Sequence, residues 1–423
     1  MSSTFPGSFI DALRLPTRLT LPITWPTKQS SDIPNPWLTP SSGVTLAAVA
    51  GATAVIVFSL RLYAARPRSH ENSLSAKSKN KSKSKTMPHV MEKPVDGSVR
   101  VAELLIHPIK SCRGVSVQRV KYTPQGLEND RKWCIIDAAT RAVITAREFP
   151  RMVLIAPRIE PDPASPHGGA LVVAFPPDAP AGCTEFRVPL QPDAQTLSQW
   201  EIIDGIGLFH HTLDGYIGQL LSPSPSPSPD TPTPPPTASS ILSTYFTKPV
   251  HLVYKGPRAR AVDATHAFPS LAATSVFQDM YPLLVLSKES MHAVEEEVRA
   301  RVGQQGVGEA WREARVELRR FRPNVVFEGA GPFAEDAWEE VALGSPGAPG
   351  VTLVSKCARC LLPNVSPDTG ERDKAVPYKV IMKFRTGLDP AEMMKPCVGC
   401  NGVPAASGEV SVGDVVYVKK MIG

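Results

Sequence analysis

No glycine-rich nucleotide loop occurs in the 423 residues: neither G-x-G-x-x-G nor G-x-x-x-x-G-K-[ST] is present, and no internal repeat is visible. That excludes the two loops that hold a dinucleotide or a nucleotide phosphate at a helix N-terminus. A nucleic-acid surface is missing as well. The net charge of +6 is concentrated in Lys77, Lys79, Lys81, Lys83 and Lys85, which alternate with Ser and Asn. Such a run buries nothing and reads as a solvated tether, and without it the chain is close to neutral, so no nucleic-acid partner is expected.

Charge is absent altogether from Ser41 to Leu60, where Ala, Val, Leu, Ile and Phe dominate. Twenty residues at ~1.5 Å each span ~30 Å, the thickness of a bilayer core. A secretory signal would place its apolar stretch far nearer the start. Arg61, Arg66, Arg68 and the lysines follow, and a basic flank faces the cytosol. The sequence therefore predicts one N-terminal membrane anchor with the bulk of the chain in the cytosol. The short, moderately apolar span favours the mitochondrial outer membrane, with the endoplasmic reticulum as the alternative. Thiols in the cytosol stay reduced, so disulfides are not expected.

The predicted organisation is an irregular segment at 1–40, broken by prolines, then the anchor at 41–62 and the tether at 63–97. A β-rich domain at 98–221, a Ser/Pro-rich loop or linker at 222–247 and a second domain at 248–423 follow. Short strands are read at Val99–Ile106, Gly114–Val120, Lys132–Asp137, Val143–Ala146, Met152–Ile155 and Ala170–Phe175, and a helix at Asp214–Leu221. Ser222 to Ser240 is nearly all Ser, Pro and Thr and is read as a loop. In the second domain, Pro282–Ser287 reads as a strand leading into a helix capped by Ser287, with Met291, Val294 and Val298 as its apolar stripe. The fold class is mixed α/β and β-rich: two barrel-like domains behind a transmembrane helix.

Four of the seven cysteines form two C-x-x-C units, Cys357/Cys360 and Cys397/Cys400. Clustered thiolates point to a soft metal. They have the ligand count of a closed zinc site, although the separation between the units exceeds the usual ~15–20 residues. The other reading is a larger metal cofactor held by one thiolate. Cys112, Cys134 and Cys183 read as packing residues.

Several motifs occur in a defined order. His107-Pro108-Ile109-Lys110-Ser111-Cys112, Asn129-Asp130-Arg131-Lys132-Trp133 and Thr145-Ala146-Arg147 come first. Arg322-Pro323-Asn324, Cys357-Ala358-Arg359-Cys360 and Val412-Gly413-Asp414 follow. In order and spacing they resemble the MOSC family, an N-terminal β-barrel domain followed by the MOSC domain, and within it the amidoxime reducing components. The resemblance covers roughly residues 99–420.

It implies a molybdenum cofactor (Mo-molybdopterin), with Cys360 as the protein ligand to the metal. Lys110, Ser111, Arg131, Arg322, Asn324, Ala358, Arg359 and Asn401 would grip the cofactor, and Asp279 would contact substrate or a proton. Lys and Arg donors suit such an anionic group, and Arg359 favours a thiolate at Cys360. Convergence of Lys110, Arg131 and Arg322 on one inter-domain cleft is predicted. Met280 and Tyr281 stand where relatives can carry small hydroxyl residues, and Cys400 departs from the family's C-terminal pattern. The implied activity is reduction of small N-hydroxylated substrates, amidoximes and hydroxylamines. Electrons would come from a cytochrome b5-type haem protein and its NADH-dependent reductase, since the chain has no nicotinamide or flavin motif. The alternatives are a non-catalytic cofactor carrier or a membrane adaptor stabilised by a four-cysteine zinc site.

Overall fold

Residues 93–221 and 235–423 are described in this computed structural model. The expected membrane span at 41–62 and the Ser/Pro-rich residues 222–234 lie outside them. Among the described residues no helix is long and apolar enough to cross a membrane.

The architecture is β-rich with few helices. One body is an eight-stranded sheet in the order Val115–Val117, Arg100–Ile106, Val325–Glu328, Leu283–Ser287, Cys397–Pro404, Gly350–Ala358, Trp338–Leu343, Val416–Met421. All neighbours are antiparallel except Leu283–Ser287 and Val325–Glu328, which run parallel. The predicted helix, Lys288–Arg299, follows the first of that pair, and the Ser287 side chain accepts from Ser290 N as its cap. Residues at the end of the sheet curl back: Val416 N donates to Val99 O at 2.9 Å and Gly413 N to Val101 O at 2.8 Å.

Alternation of side chains splits this sheet into two apolar faces. Leu104, Val285, Val325, Val341, Val351 and Cys400 point into the curled interior. Leu105, Leu286, Val326 and Val398 point outward, under Met291, Val294 and Val298 of the helix. Val398 and Cys400 are two apart yet lie on opposite faces. Gly399 (φ +78°) lies between them, and the pairing register shifts between Lys356↔Cys400 and Ala358↔Cys397. A Cβ at Gly399 would come within 2.6 Å of Val285 O, so this bulge requires glycine.

The other body has a four-stranded sheet, Trp133–Asp137, Val250–Lys255, His211–Ile217, Ile202–Leu208, and a three-stranded one, Ala156–Pro161, Gly169–Ala174, Phe186–Pro189. Trp133, Ile135, Leu171, Val173, Phe186 and Leu252 share its core.

Three local expectations are corrected. Asp214–Leu221 is not a helix, since His211–Ile217 is a strand. Gly215 lets Val253 approach so closely that a Cβ would sit 2.2 Å from its Cγ1, and pairing across the sheet overrides local propensity. Met152–Ile155 is not a strand: Pro150–Leu154 forms a 3-10 turn, started by proline. The 222–247 linker ends in a helix, Ala238–Phe246. Thr237 and Ser240 cap it reciprocally, and Ile241, Leu242, Tyr245 and Phe246 bury its apolar side. Strand pairing also crosses the expected joint near residue 248. Val250–Lys255 pairs with Trp133–Asp137, whereas Arg100–Ile106 pairs with Val325–Glu328 and Arg119–Thr123 with Gly408–Ser411.

Candidate functional site

Where the two bodies meet, the chain is held in an unusual backbone state three times over. Ser111 (φ +67°), Arg131 (φ +49°) and Arg322 (φ +58°) are all left-handed without being glycine. Such residues cost energy and gather where function fixes the backbone.

The base of the site is an ion pair. Asp130 is fully buried. It accepts His107 N at 2.7 Å, and its two oxygens accept from Arg131 Nη1 at 2.8 and 2.6 Å. Burial pushes its carboxyl up, but Arg131 and His107 outweigh that and hold it below the usual carboxylate range. Arg131 also donates to Asn324 Oδ1 at 3.1 Å and to Arg322 O at 3.2 Å. Asn324 is buried and stitches strands together, receiving Leu284 N at 3.1 Å and donating to Leu105 O at 3.2 Å.

From there a chain of contacts runs across the site. Arg322 Nη1 donates to Cys112 O at 2.6 Å, next to Ser111. Burial and the neighbouring Arg131 bring its guanidinium down to about 10. Arg359 Nη2 donates to Phe321 O at 2.8 Å, and its Nη1 donates to Cys357 Sγ at 3.0 Å. Cys360 follows directly, half-buried, its sulfur accepting Leu362 N at 3.5 Å. Arg322 Nη2 and Arg359 Nε are buried with no partner among the described residues. Two orphaned guanidinium donors in the same region as a half-buried thiol suit an anionic group that also offers a metal.

On the far side, buried Lys110 donates to Phe277 O at 2.8 Å and to Asp279. Arg147 lies 3.9 Å from the same carboxylate. Burial lowers the Lys110 amine to about 8 although Asp279 pulls it upward. Asp279 is opposed by burial but held well below the usual carboxylate range by Lys110 and Arg147. Its side chain remains 47% exposed. Phe209, 50% exposed and left-handed (φ +56°), covers both cations, 4.8 Å from Arg147 Cζ and 5.7 Å from Lys110 Nζ.

Contacts or direct chain adjacency link Lys110, Ser111, Arg131, Arg322, Arg359, Cys360 and Asp279 in one region; the sequence expectation of convergence concerned Lys110, Arg131 and Arg322. Ala358 ends its strand opposite Cys397. Asn401 does not join them by any hydrogen bond among the described residues. Its amide donates to Ser355 Oγ at 2.9 Å, and Ser355 lines a cavity of about 350 Å³. Sequence reasoning missed Asp130 and Arg147 as site residues, although both stand inside the quoted motifs, and missed Phe209, for which no local signal exists.

The cysteines do not gather three sulfurs mutually within 4.8 Å, the geometry a four-cysteine zinc site would need, among the described residues. Among the described residues the one cluster with three ligand atoms mutually within 4.8 Å is His210, His211 and Asp263. Cys400 is a core residue whose thiol donates to Glu335 O at 3.3 Å, and Cys397 is turned to Lys395 O at 3.9 Å. Burial pushes the Cys397 thiol up to about 12 and Cys400 well above its ordinary value, so neither favours a thiolate.

Comparison with known proteins identifies the domains. Residues 98–205 match the MOSC N-terminal beta barrel domain and residues 273–417 the MOSC domain. Mitochondrial amidoxime-reducing component 1 of Mus musculus is 30% identical over 328 residues, covering 75% of this chain and 82% of the relative. The Homo sapiens protein of the same name is 27% identical with the same coverage. A molybdenum cofactor sulfurase of Aspergillus terreus is 23% identical over 78% of this chain, which spans 42% of that protein. The paired domains, the ordered motifs and the extent of the match together show that the chain belongs to the MOSC-domain family of the mitochondrial amidoxime-reducing components.

Proposed function

We propose that this protein is a membrane-anchored molybdenum-cofactor oxidoreductase that reduces N-hydroxylated compounds, with electrons from a cytochrome b5-type partner and its NADH-dependent reductase. Family membership supports a molybdenum-cofactor-related function, with relatives named for amidoxime reduction and for cofactor sulfuration. The observation that carries the reading is the pair of orphaned buried donors, Arg322 Nη2 and Arg359 Nε, with Arg359 next in sequence to the half-buried Cys360.

Cys360 would supply the thiolate ligand. Lys110, Ser111, Arg131, Arg322 and Arg359 would hold the phosphate and the pterin edge, with Asn324 bracing Arg131 and Ala358 and Asn401 at the margin. When bound, the cofactor supplies two-electron oxygen-atom transfer. The chain's own part is binding, orientation and protons. With its amine near 8, Lys110 is mostly protonated at neutral pH yet able to release a proton from Nζ. Asp279 stays a carboxylate, so its role is to orient that ammonium rather than to donate a proton. Phe209 shields the cations from water. The apolar stretch Ser41–Leu60 would tether the enzyme to the mitochondrial outer membrane beside its electron donor.

The test is elemental analysis of the protein from a host that makes molybdenum cofactor, beside Cys360→Ser. Near-stoichiometric molybdenum, lost in a folded variant, together with amidoxime reduction in the presence of cytochrome b5 and its reductase, supports the reading. Molybdenum without reduction makes the protein a carrier. A chain that binds no molybdenum overturns the proposal.

A further inference from the structure

The His210, His211 and Asp263 cluster is used by nothing described above. His210 and His211 stand at the turn between the strands Ile202–Leu208 and His211–Ile217. Successive residues of a strand point to opposite faces. Here the left-handed Phe209 turns the chain, and the two imidazoles lie side by side with centroids 4.0 Å apart. Asp263 comes from another segment, just after the strand Arg260–Ala261, and its Oδ1 lies 3.2 Å from His210 Nε2.

We propose that His210, His211 and Asp263 form a binding site for a divalent cation of the Zn²⁺ class, with two imidazole nitrogens, one carboxylate oxygen and a position open to solvent. Ligands at ~2.0–2.1 Å around a tetrahedral ion stand about 3.3 Å apart, and the His210–Asp263 pair is already at that separation. A ligating imidazole must be neutral. Burial, Arg260 and His210 hold His211 below its ordinary value. The nearby cations are engaged elsewhere. Arg260 donates to Ser275 Oγ and to the carbonyls of Asp279 and Met280, and Arg258 pairs with Asp204.

The place gives the ion a consequence. Phe209, next to His210, covers Lys110 and Arg147. The carbonyl of Asp263 accepts from Tyr281 Oη at 3.1 Å, two residues beyond Asp279. A cation here ties the hairpin that carries Phe209 to the segment behind Asp279 and fixes the width of the cleft mouth.

The test titrates the full chain with Zn²⁺ by calorimetry and with Co²⁺ by absorption, for wild type, Cys360→Ser, His211→Ala, Asp263→Asn and the double variant H210A/H211A. The expected result is one Zn²⁺ site in wild type and in Cys360→Ser. Affinity falls by about tenfold or more in the other variants, since even indirect support of a metal ligand is worth ~10–100-fold. The Co²⁺ spectrum lacks thiolate charge transfer. Unchanged affinity in H210A/H211A, no Zn²⁺ uptake by wild type, or a thiolate spectrum lost only with the cysteine would each overturn the proposal. His210 is 62% exposed, so its removal leaves the fold intact, and the readout needs neither molybdenum nor activity.

Discussion

Asp130→Asn is the sharpest single perturbation of the site. The wild-type carboxylate is fully buried and accepts one backbone N–H and two guanidinium hydrogen bonds. Asparagine keeps one oxygen, enough for His107 N, but turns an amide N–H₂ toward Arg131. Removing one partner of a buried ion pair costs ~3–5 kcal/mol, because the other charge is left without compensation. Arg131 retains the Asn324 side chain and the Arg322 carbonyl, which places the loss near the lower end, about 3 kcal/mol. The pH dependence has a definite sign. A carboxyl held below its usual range contributes stability above the ordinary carboxylate value and loses it as pH falls through the folded value. The gap between wild type and variant should therefore be widest at neutral pH and close in acid. Urea unfolding followed by tryptophan fluorescence measures it in both bodies, since Trp133 and Trp200 lie in one core and Trp338 in the other. A loss below about 1 kcal/mol, or a gap that does not narrow on acidification, would refute the reasoning.

Three further outcomes are expected. Burial, then Asp336, raises the buried carboxyl of Glu335 to about 7. Its penalty sets in above the ordinary value and is complete above pH 7, so Glu335→Gln should be more stable than wild type by ~2–4 kcal/mol at pH 8 and equal to it near pH 4. An equal gap at both pH values in urea titrations contradicts this. Gly399→Ala should cost ~1–3 kcal/mol, since it forces a left-handed alanine against Val285 O, and an unchanged Tm would show that the bulge can relax. Asp279→Asn removes the counter-charge of Lys110 and leaves burial, Arg260 and Arg131 acting alone, so its amine should titrate below about 8. A pH profile of amine modification that shifts upward or stays in place rejects that account.

Much of this was legible because family motifs fall at chain reversals. Lys110-Ser111, Asp130-Arg131 and Arg322-Pro323-Asn324 each carry a left-handed residue or its neighbour. The Ser287 cap and the Met291, Val294, Val298 stripe were equally readable, since both are local patterns. What failed depended on distant partners. His211–Ile217 is a strand because it pairs with Val250–Lys255 and Ile202–Leu208. Cys400 looked like a metal ligand from its spacing, yet a register shift at Gly399 turns it into the core. Phe209 carries no motif, and its role follows only from the hairpin that brings it over Lys110 and Arg147.

The exchange of strands between the two bodies bears on what happens if the backbone is cut. A single cleavage between residues 222 and 234 would yield an N-terminal piece holding Arg100–Ile106, Arg119–Thr123 and Trp133–Asp137. Their partners Val325–Glu328, Gly408–Ser411 and Val250–Lys255 would all lie in the other piece. Three separate main-chain ladders would bridge the nick, so the fragments should copurify and retain the cleft. Neither should fold when produced by itself, because each lacks strands that complete its sheets. Exchange of one half for another at a single joint would break all three ladders at once.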